Sequence, residues 1–185
     1  REARTPEMSD GRLDYGDPPD PDPINPGPQK GDWRPFQIAF ILMALRSTAE
    51  KGHPTREEVE LIWFPTGGGK TEAYLGLAAF SIFLRYLRDP DDQGVHVLMR
   101  YTLRLLTAQQ FQRASGLICA MEILRQEKMP EVNNPISIGI WVGGKTSPNT
   151  RNQAQNNLRD LQDPYKNTQN KFILGRCPWC GASMG

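Results

Sequence analysis

Histidine and cysteine are scarce in this chain, with two His and three Cys among 185 residues. Three unevenly placed cysteines cannot build the disulfide framework of a small secreted domain, so the sequence reads as intracellular, reducing and cytoplasmic. Long apolar runs are also missing. Arg or Lys interrupts every hydrophobic stretch before the roughly 18–20 residues a spanning helix needs, which excludes a membrane-embedded protein. An excess of one charge sign is lacking too: 22 Lys+Arg stand against 21 Asp+Glu. That balance argues against a wholly basic nucleic-acid-binding protein and is silent on local patches.

The average conceals a division. Residues 1–32 hold eight acidic and four basic residues and seven of the 16 prolines, most of these within GDPPDPDPINPGP. Such a segment cannot bury enough apolar surface to offset its ordering entropy and reads as a disordered or extended acidic linker. The first residue is Arg rather than Met, and the last motif, CPWCGASMG, has only begun when the sequence stops. A piece of a longer polypeptide is the expectation.

Hydrophobic spacing organises the rest. WRPFQIAFILMALRSTAEKG, from Trp33, places Phe36, Phe40, Leu42, Met43 and Leu45 at near-helical intervals, with Gly52 as terminator. VELIWF (59–64), GVHVLM (94–99) and ISIGIWV (136–142) read as buried strands. Helices are expected over Lys70 to about Leu87 and over 103–126. Strand, helix, strand, helix, strand implies βαβ units, so the expected fold class is α/β with a parallel sheet. Residues 147–176 are polar and Asn/Gln-rich; a short helix starting near Pro148 is expected there, with KFIL (171–174) as one more short strand. The domains are then 1–32 linker, 33–146 nucleotide-binding domain, 147–176 polar insertion and 177–185 the first half of a cysteine knuckle.

The strongest chemical signal is Phe64-Pro65-Thr66-Gly67-Gly68-Gly69-Lys70-Thr71. Phosphates need convergent backbone N–H donors at a helix N-terminus, and glycines let the backbone come close. Thr66, Gly67, Gly68, Gly69, Lys70 and Thr71 are therefore the candidate ATP residues. Lys70 would reach the terminal phosphates and the Thr71 hydroxyl would ligate Mg2+. The strict GxxxxGK[ST] pattern has glycine where this chain has Phe64. A literal match falls instead on Gly139–Thr146 (GIWVGGKT), but its Ile-Trp-Val reads as strand rather than anion-cradling loop, so the first site is preferred.

Arg34-Pro35-Phe36-Gln37, followed 33 positions later by Lys70, resembles the adenine-reading glutamine motif and motif I of superfamily 2 helicases and translocases. YTLRLLTAQQ (101–110) resembles motif Ia, and VGG (142–144) the glycine doublet before motif Ib. The longer phrases WFPTGGGKTEAYLGLAAF, VLMRYTLRLLTAQQFQRA and ISIGIWVGGKTSPN are similar to the large helicase subunits of DISARM anti-phage defence systems, over most of residues 33–180. The resemblance implies a first RecA-like domain, Gln37 reading adenine, and Thr102, Arg104, Gln109, Gly143 and Gly144 touching the nucleic-acid backbone. It further implies a bacterial ATP-dependent DNA motor working with a partner subunit of the defence complex, of the DrmB type. No Asp-Glu-x-Asp/His box occurs, so Walker B carboxylates and a second motor domain would have to follow residue 185, and this piece alone is expected to be inactive.

Independently of the resemblance, Arg100, Arg104 and Arg113, with Arg151 and Arg159 further on, offer cations for phosphate contacts. Cys177 and Cys180, followed by Gly181, form a CxxC turn that supplies two of the four thiolates of a zinc ribbon; a thioredoxin-like redox pair is the rival reading. Cys119 reads as core, and His53 and His96 as ordinary structural residues. Two other functional classes remain open: a P-loop ATPase that remodels proteins, and a non-enzymatic DNA or protein interaction module.

Overall fold

The computed structural model describes residues 7–9, 12–14, 32–63, 67–101, 104–142 and 147–182. Four helices carry it: α1 (Pro35–Ala49), α2 (Lys70–Arg88), α3 (Arg104–Lys128) and α4 (Arg151–Gln162). The only paired strands among the described residues are β1 (Glu7–Ser9) and β2 (Arg12–Asp14), antiparallel with Ser9 opposite Arg12. Asp10-Gly11 stands between them in sequence, the dipeptide that favours two-residue hairpins. A short hairpin thus interrupts the segment expected to be linker throughout.

The expected RecA-like α/β fold with a parallel sheet is not what forms. Residues 59–63, 95–100 and 136–142 carry no strand pairing. β-branched, alternating sequence favours an extended backbone, but a strand exists only when its N–H and C=O groups meet a lateral partner. Among the described residues none pairs with these segments, and Val59, Leu61, Trp63 and Trp141 stand 95%, 85%, 87% and 97% exposed. KFIL likewise forms no extended strand.

The helices need no lateral partner and follow the hydrophobic spacing closely. In α1, Pro35 sits where its missing N–H costs nothing, and Gln37 Oε1 accepts from the Arg34 N–H at 2.8 Å. At the other end, the Arg56 guanidinium donates to the Ser47 and Thr48 carbonyls at 2.8 and 2.9 Å, satisfying acceptors that the last turn leaves open. α4 is capped by Thr150, whose hydroxyl accepts from the Gln153 N–H at 3.2 Å. It starts three residues beyond Pro148.

The chain divides into two compact units. One comprises residues 20–100 and 117–137. Here α1 packs on α2, with Phe40 and Tyr74 edge to face at 5.8 Å. Gly76 makes room for Trp33: a Cβ there would sit 2.7 Å from the indole. The apolar core joins Tyr86, Met121, Met129, Val132 and Ile136, flanked by Ala79, Ile82, Phe83, Leu117 and Ile118. An ion pair between buried Arg125 and half-buried Glu122 holds the C-terminal end of α3 to the segment after it. Arg125 grips Glu122 with two hydrogen bonds, at 2.8 and 2.7 Å, and also donates to the Val132 carbonyl, while Glu122 accepts from the Ile136 N–H at 2.9 Å.

The other unit comprises residues 1–19, 101–116 and 138–185. Its organiser is Asn157 of α4, which donates to the Gln169 carbonyl at 3.2 Å and accepts from the Lys171 N–H at 3.3 Å. Both ends of one buried amide are thereby satisfied, as burial of a polar group requires.

Arg125, burial notwithstanding, holds the Glu122 carboxyl down from 4.5 to about 2. A carboxylate with a depressed folded-state value contributes fully above its unfolded value and loses that contribution as pH falls through the folded one. Glu122→Gln should therefore cost about 1–2 kcal/mol at neutral pH. Urea unfolding should show the gap between wild type and variant closing as pH drops from 4.5 to about 2.

Candidate functional site

The glycine-rich turn and the N-terminus of α1, distant in sequence, meet within one unit. Gly69 is the residue before α2 and adopts a left-handed backbone, φ 92°, and Gly67 does the same at 81°. Only glycine occupies such angles without steric cost. Position 69 has a second reason to lack a side chain, because a Cβ would meet Gln37 Nε2 at 2.7 Å. That approach is a hydrogen bond: the Gln37 amide donates to the Gly69 carbonyl at 2.7 Å. One position earlier, the Arg34 guanidinium donates to the Gly68 carbonyl, also at 2.7 Å.

Gln37 is 5% exposed and uses both ends of its amide, one on the Arg34 N–H and one on the turn. Lys70 and Thr71, both half-buried, open the first turn of α2, where unsatisfied N–H groups and the helix dipole favour an anion. Glu72 lies on the same turn, its Oε2 3.4 Å from where a Gly69 Cβ would be. The structure thus brings together Gln37, Gly67, Gly68, Gly69, Lys70 and Thr71 of the expected nucleotide residues; Thr66 lies outside the described residues. Arg34 was not singled out for this role. Its sequence signal was its place three residues before Gln37, at the N-cap.

The expected nucleic-acid residues are only partly described. Thr102, Gly143 and Gly144 lie outside the described residues, as does the side chain of Arg104, which begins α3. Gln109 and Arg113 are exposed, one helical turn apart on α3. Gln112 beside them donates to the Ile173 carbonyl at 3.5 Å. Arg100, Arg151 and Arg159 are exposed as well.

The cysteine turn is well formed. The Gly181 N–H donates to the Cys177 carbonyl at 2.9 Å, Cys177 donates to the Ala182 carbonyl at 2.8 Å, and Gly181 takes the left-handed angle of 77° that closes the loop. Burial raises the Cys177 thiol, but backbone N–H groups of Cys180 and Trp179, then the Cys180 thiol and the Gly181 N–H, outweigh it and hold the thiol below its ordinary value. The turn therefore makes the Cys177 proton easier to lose than that of an unperturbed cysteine. No group of three or more His, Cys, Asp or Glu among the described residues gathers to hold a metal. It packs close to α3, where a Cβ at Gly116 would lie 3.4 Å from the Pro178 carbonyl.

The remaining candidates are structural. His96 Nε2 lies 2.7 Å from the Ser81 hydroxyl, and burial together with the nearby Arg85 charge pushes the imidazole below its usual value, towards the neutral form. His53 Nδ1 meets the Thr55 hydroxyl at 3.0 Å. Cys119 is half-buried on α3. No helix among the described residues is long and apolar enough to cross a membrane.

The glycine turn, its glutamine partner and the cysteine turn are what a comparison must account for. The chain is 40% identical over 161 residues to the DISARM protein DrmA of Bacillus paralicheniformis. The aligned region is 81% of this chain and 14% of that relative, so the chain spans about a seventh of its length. No family model and no solved structure matches. The kinship with DrmA supports the resemblance drawn from residues 33–180 as far as the defence system is concerned.

Because Gly69 combines a left-handed φ with a Gln37 nitrogen at 2.7 Å from any added Cβ, Gly69→Ala should destabilise the chain by about 1–2 kcal/mol or more. Gly52, which meets nothing within 4 Å, is the control: thermal unfolding of Gly52→Ala should move little by comparison.

Proposed function

We propose that this chain is the nucleotide-phosphate-binding portion of an ATP-dependent DNA translocase or helicase acting in DISARM-type anti-phage defence. One observation carries the nucleotide reading: Gln37 and Arg34 hydrogen-bond the carbonyls of Gly69 and Gly68 at the N-terminus of a helix that starts Lys-Thr. Left-handed angles at two glycines, a lysine at the first helical residue and a buried amide tied to the turn together fit a phosphate cradle. In this reading Lys70 neutralises the terminal phosphates, Thr71 offers its hydroxyl to Mg2+, and the N–H groups of the turn face the phosphate oxygens. ATP supplies the energy of the motor, and hydrolysis belongs to the full-length protein.

DNA is proposed as the track because exposed Gln109 and Arg113 of α3, with Arg151 and Arg159 of α4, offer donors and cations to a phosphate backbone. A partner subunit of the defence complex is proposed on the kinship with DrmA. Cys177 and Cys180 are assigned to Zn2+, because the tight CxxC turn closed by the left-handed Gly181 has the form of a zinc-ribbon knuckle; the other two ligands come from elsewhere.

In the full-length protein, Lys70→Ala should weaken MgATP binding by about tenfold to a hundredfold, the loss of one charge-assisted contact. ATP hydrolysis by the wild type should rise on adding DNA. Hydrolysis indifferent to DNA would point to a protein-remodelling ATPase, and unchanged nucleotide affinity in the variant would leave a non-enzymatic interaction module. For the metal, Co2+ added to the full-length protein should give thiolate-to-metal absorption that Cys177→Ser diminishes. A wild type that takes up no metal but forms a reversible Cys177–Cys180 disulfide would transfer the pair to redox chemistry.

A further inference from the structure

We propose that Arg34 is a positioning residue for the phosphate turn: by holding the Gly68 carbonyl while Gln37 holds the Gly69 carbonyl, it aims two consecutive backbone N–H groups at the anion. The inference rests on the nucleotide reading of residues 67–71 and assigns a role to a side chain outside that motif.

The stereochemistry follows from the peptide unit. A trans peptide is planar and sets its C=O and N–H in opposite directions. Gly68 contributes the carbonyl and Gly69 the N–H of one unit; Gly69 and Lys70 contribute those of the next. Fixing the Gly68 and Gly69 carbonyls on the N-terminal end of α1 therefore turns the N–H groups of Gly69 and Lys70 the other way. With three glycines in a row nothing intrinsic to the turn sets these planes, since glycine populates left- and right-handed angles about equally. The orientation must come from outside the turn, and at 2.7 Å each the two donors of α1 provide it.

Arg34 suits the task because its own backbone is fixed. Its N–H is held by Gln37 Oε1 at 2.8 Å, and its carbonyl accepts from the Gln37 and Ile38 N–H groups at 2.9 and 3.2 Å. The guanidinium thus starts from the capped end of a helix, and its positive charge strengthens the bond to the carbonyl. One pin is the N-cap residue of α1 and the other lies in its first turn, so the two peptide planes are set from the same helix end.

The test uses the full-length protein and inorganic tripolyphosphate with Mg2+, a probe that has phosphates and no base. Calorimetric affinity for it should fall about tenfold in Arg34→Ala, the loss expected when a hydrogen bond to a charged group is removed, and MgATP should lose the same factor. Arg34→Lys, which keeps a cation on a shorter reach, should recover part of the loss; a purely structural cap would give no such graded return at unchanged thermal stability. If Arg34→Ala fails to fold, Arg34→Lys and Arg34→Gln carry the comparison with the same probe. Tripolyphosphate affinity unchanged in these variants, while Lys70→Ala loses it, would overturn the role of Arg34 and leave the nucleotide reading standing. A wild type that binds neither probe would overturn both.

Discussion

The hydrogen bond from the Gln37 amide to the Gly69 carbonyl is the constraint on which the described site depends. It joins the start of α1 to the start of α2, and it works only because position 69 has no side chain. The same amide closes the cap of α1 through Arg34, so helix initiation and turn geometry share one buried group. Sharing raises the stakes: a buried amide that loses either partner leaves a desolvated donor or acceptor, costing about 1–3 kcal/mol. Further along, Gly76 lets Trp33 lie against α2, so the two helices are fitted to each other at both a polar and an apolar point.

Four helices were legible because a helix carries its own hydrogen bonds and its apolar spacing reports on a face. Lys70 was expected to open α2 and does, since the glycine turn before it both ends the preceding segment and caps the helix. The parallel sheet was not legible in the same sense. Val59, Leu61 and Trp63 state a preference for extended backbone, and so do Val95 and Ile138, but whether they pair depends on what lies beside them. The hairpin of β1 and β2 shows the other side of that rule: Asp10-Gly11 brings its own partner within two residues, and pairing follows in a segment whose composition suggested linker.

Of the candidate site, the residues that sit on helix ends were readable and the contacts between them were not. Lys70 and Thr71 follow from local pattern. The capture of the Gly68 carbonyl by Arg34 spans 34 positions, and no local rule pairs an N-cap arginine with a distant glycine. Arg125 and Glu122 make the same point within a helix. Their i, i+3 spacing reads as an ordinary exposed pair, yet the Val132 carbonyl and the Ile136 N–H complete it into a buried network.

The cysteine turn shows how a short motif acquires chemistry from its backbone. Four residues, Cys177 to Cys180, would be equally consistent with metal binding or disulfide exchange. Metal binding asks two things of such a turn: a thiol whose proton leaves more easily than usual, and ligands that converge on one point. Backbone N–H groups of Cys180 and Trp179 contribute most to the first at Cys177, and with the Cys180 thiol and the N–H of the left-handed Gly181 they outweigh the cost of burial. Convergence is the second requirement, and two thiols meet half of it. The glycine turn at 67–69 has the same left-handed geometry, at two positions. At both turns a glycine takes an angle that other residues reach only at a steric cost, and the backbone direction that follows is what a side chain there would remove.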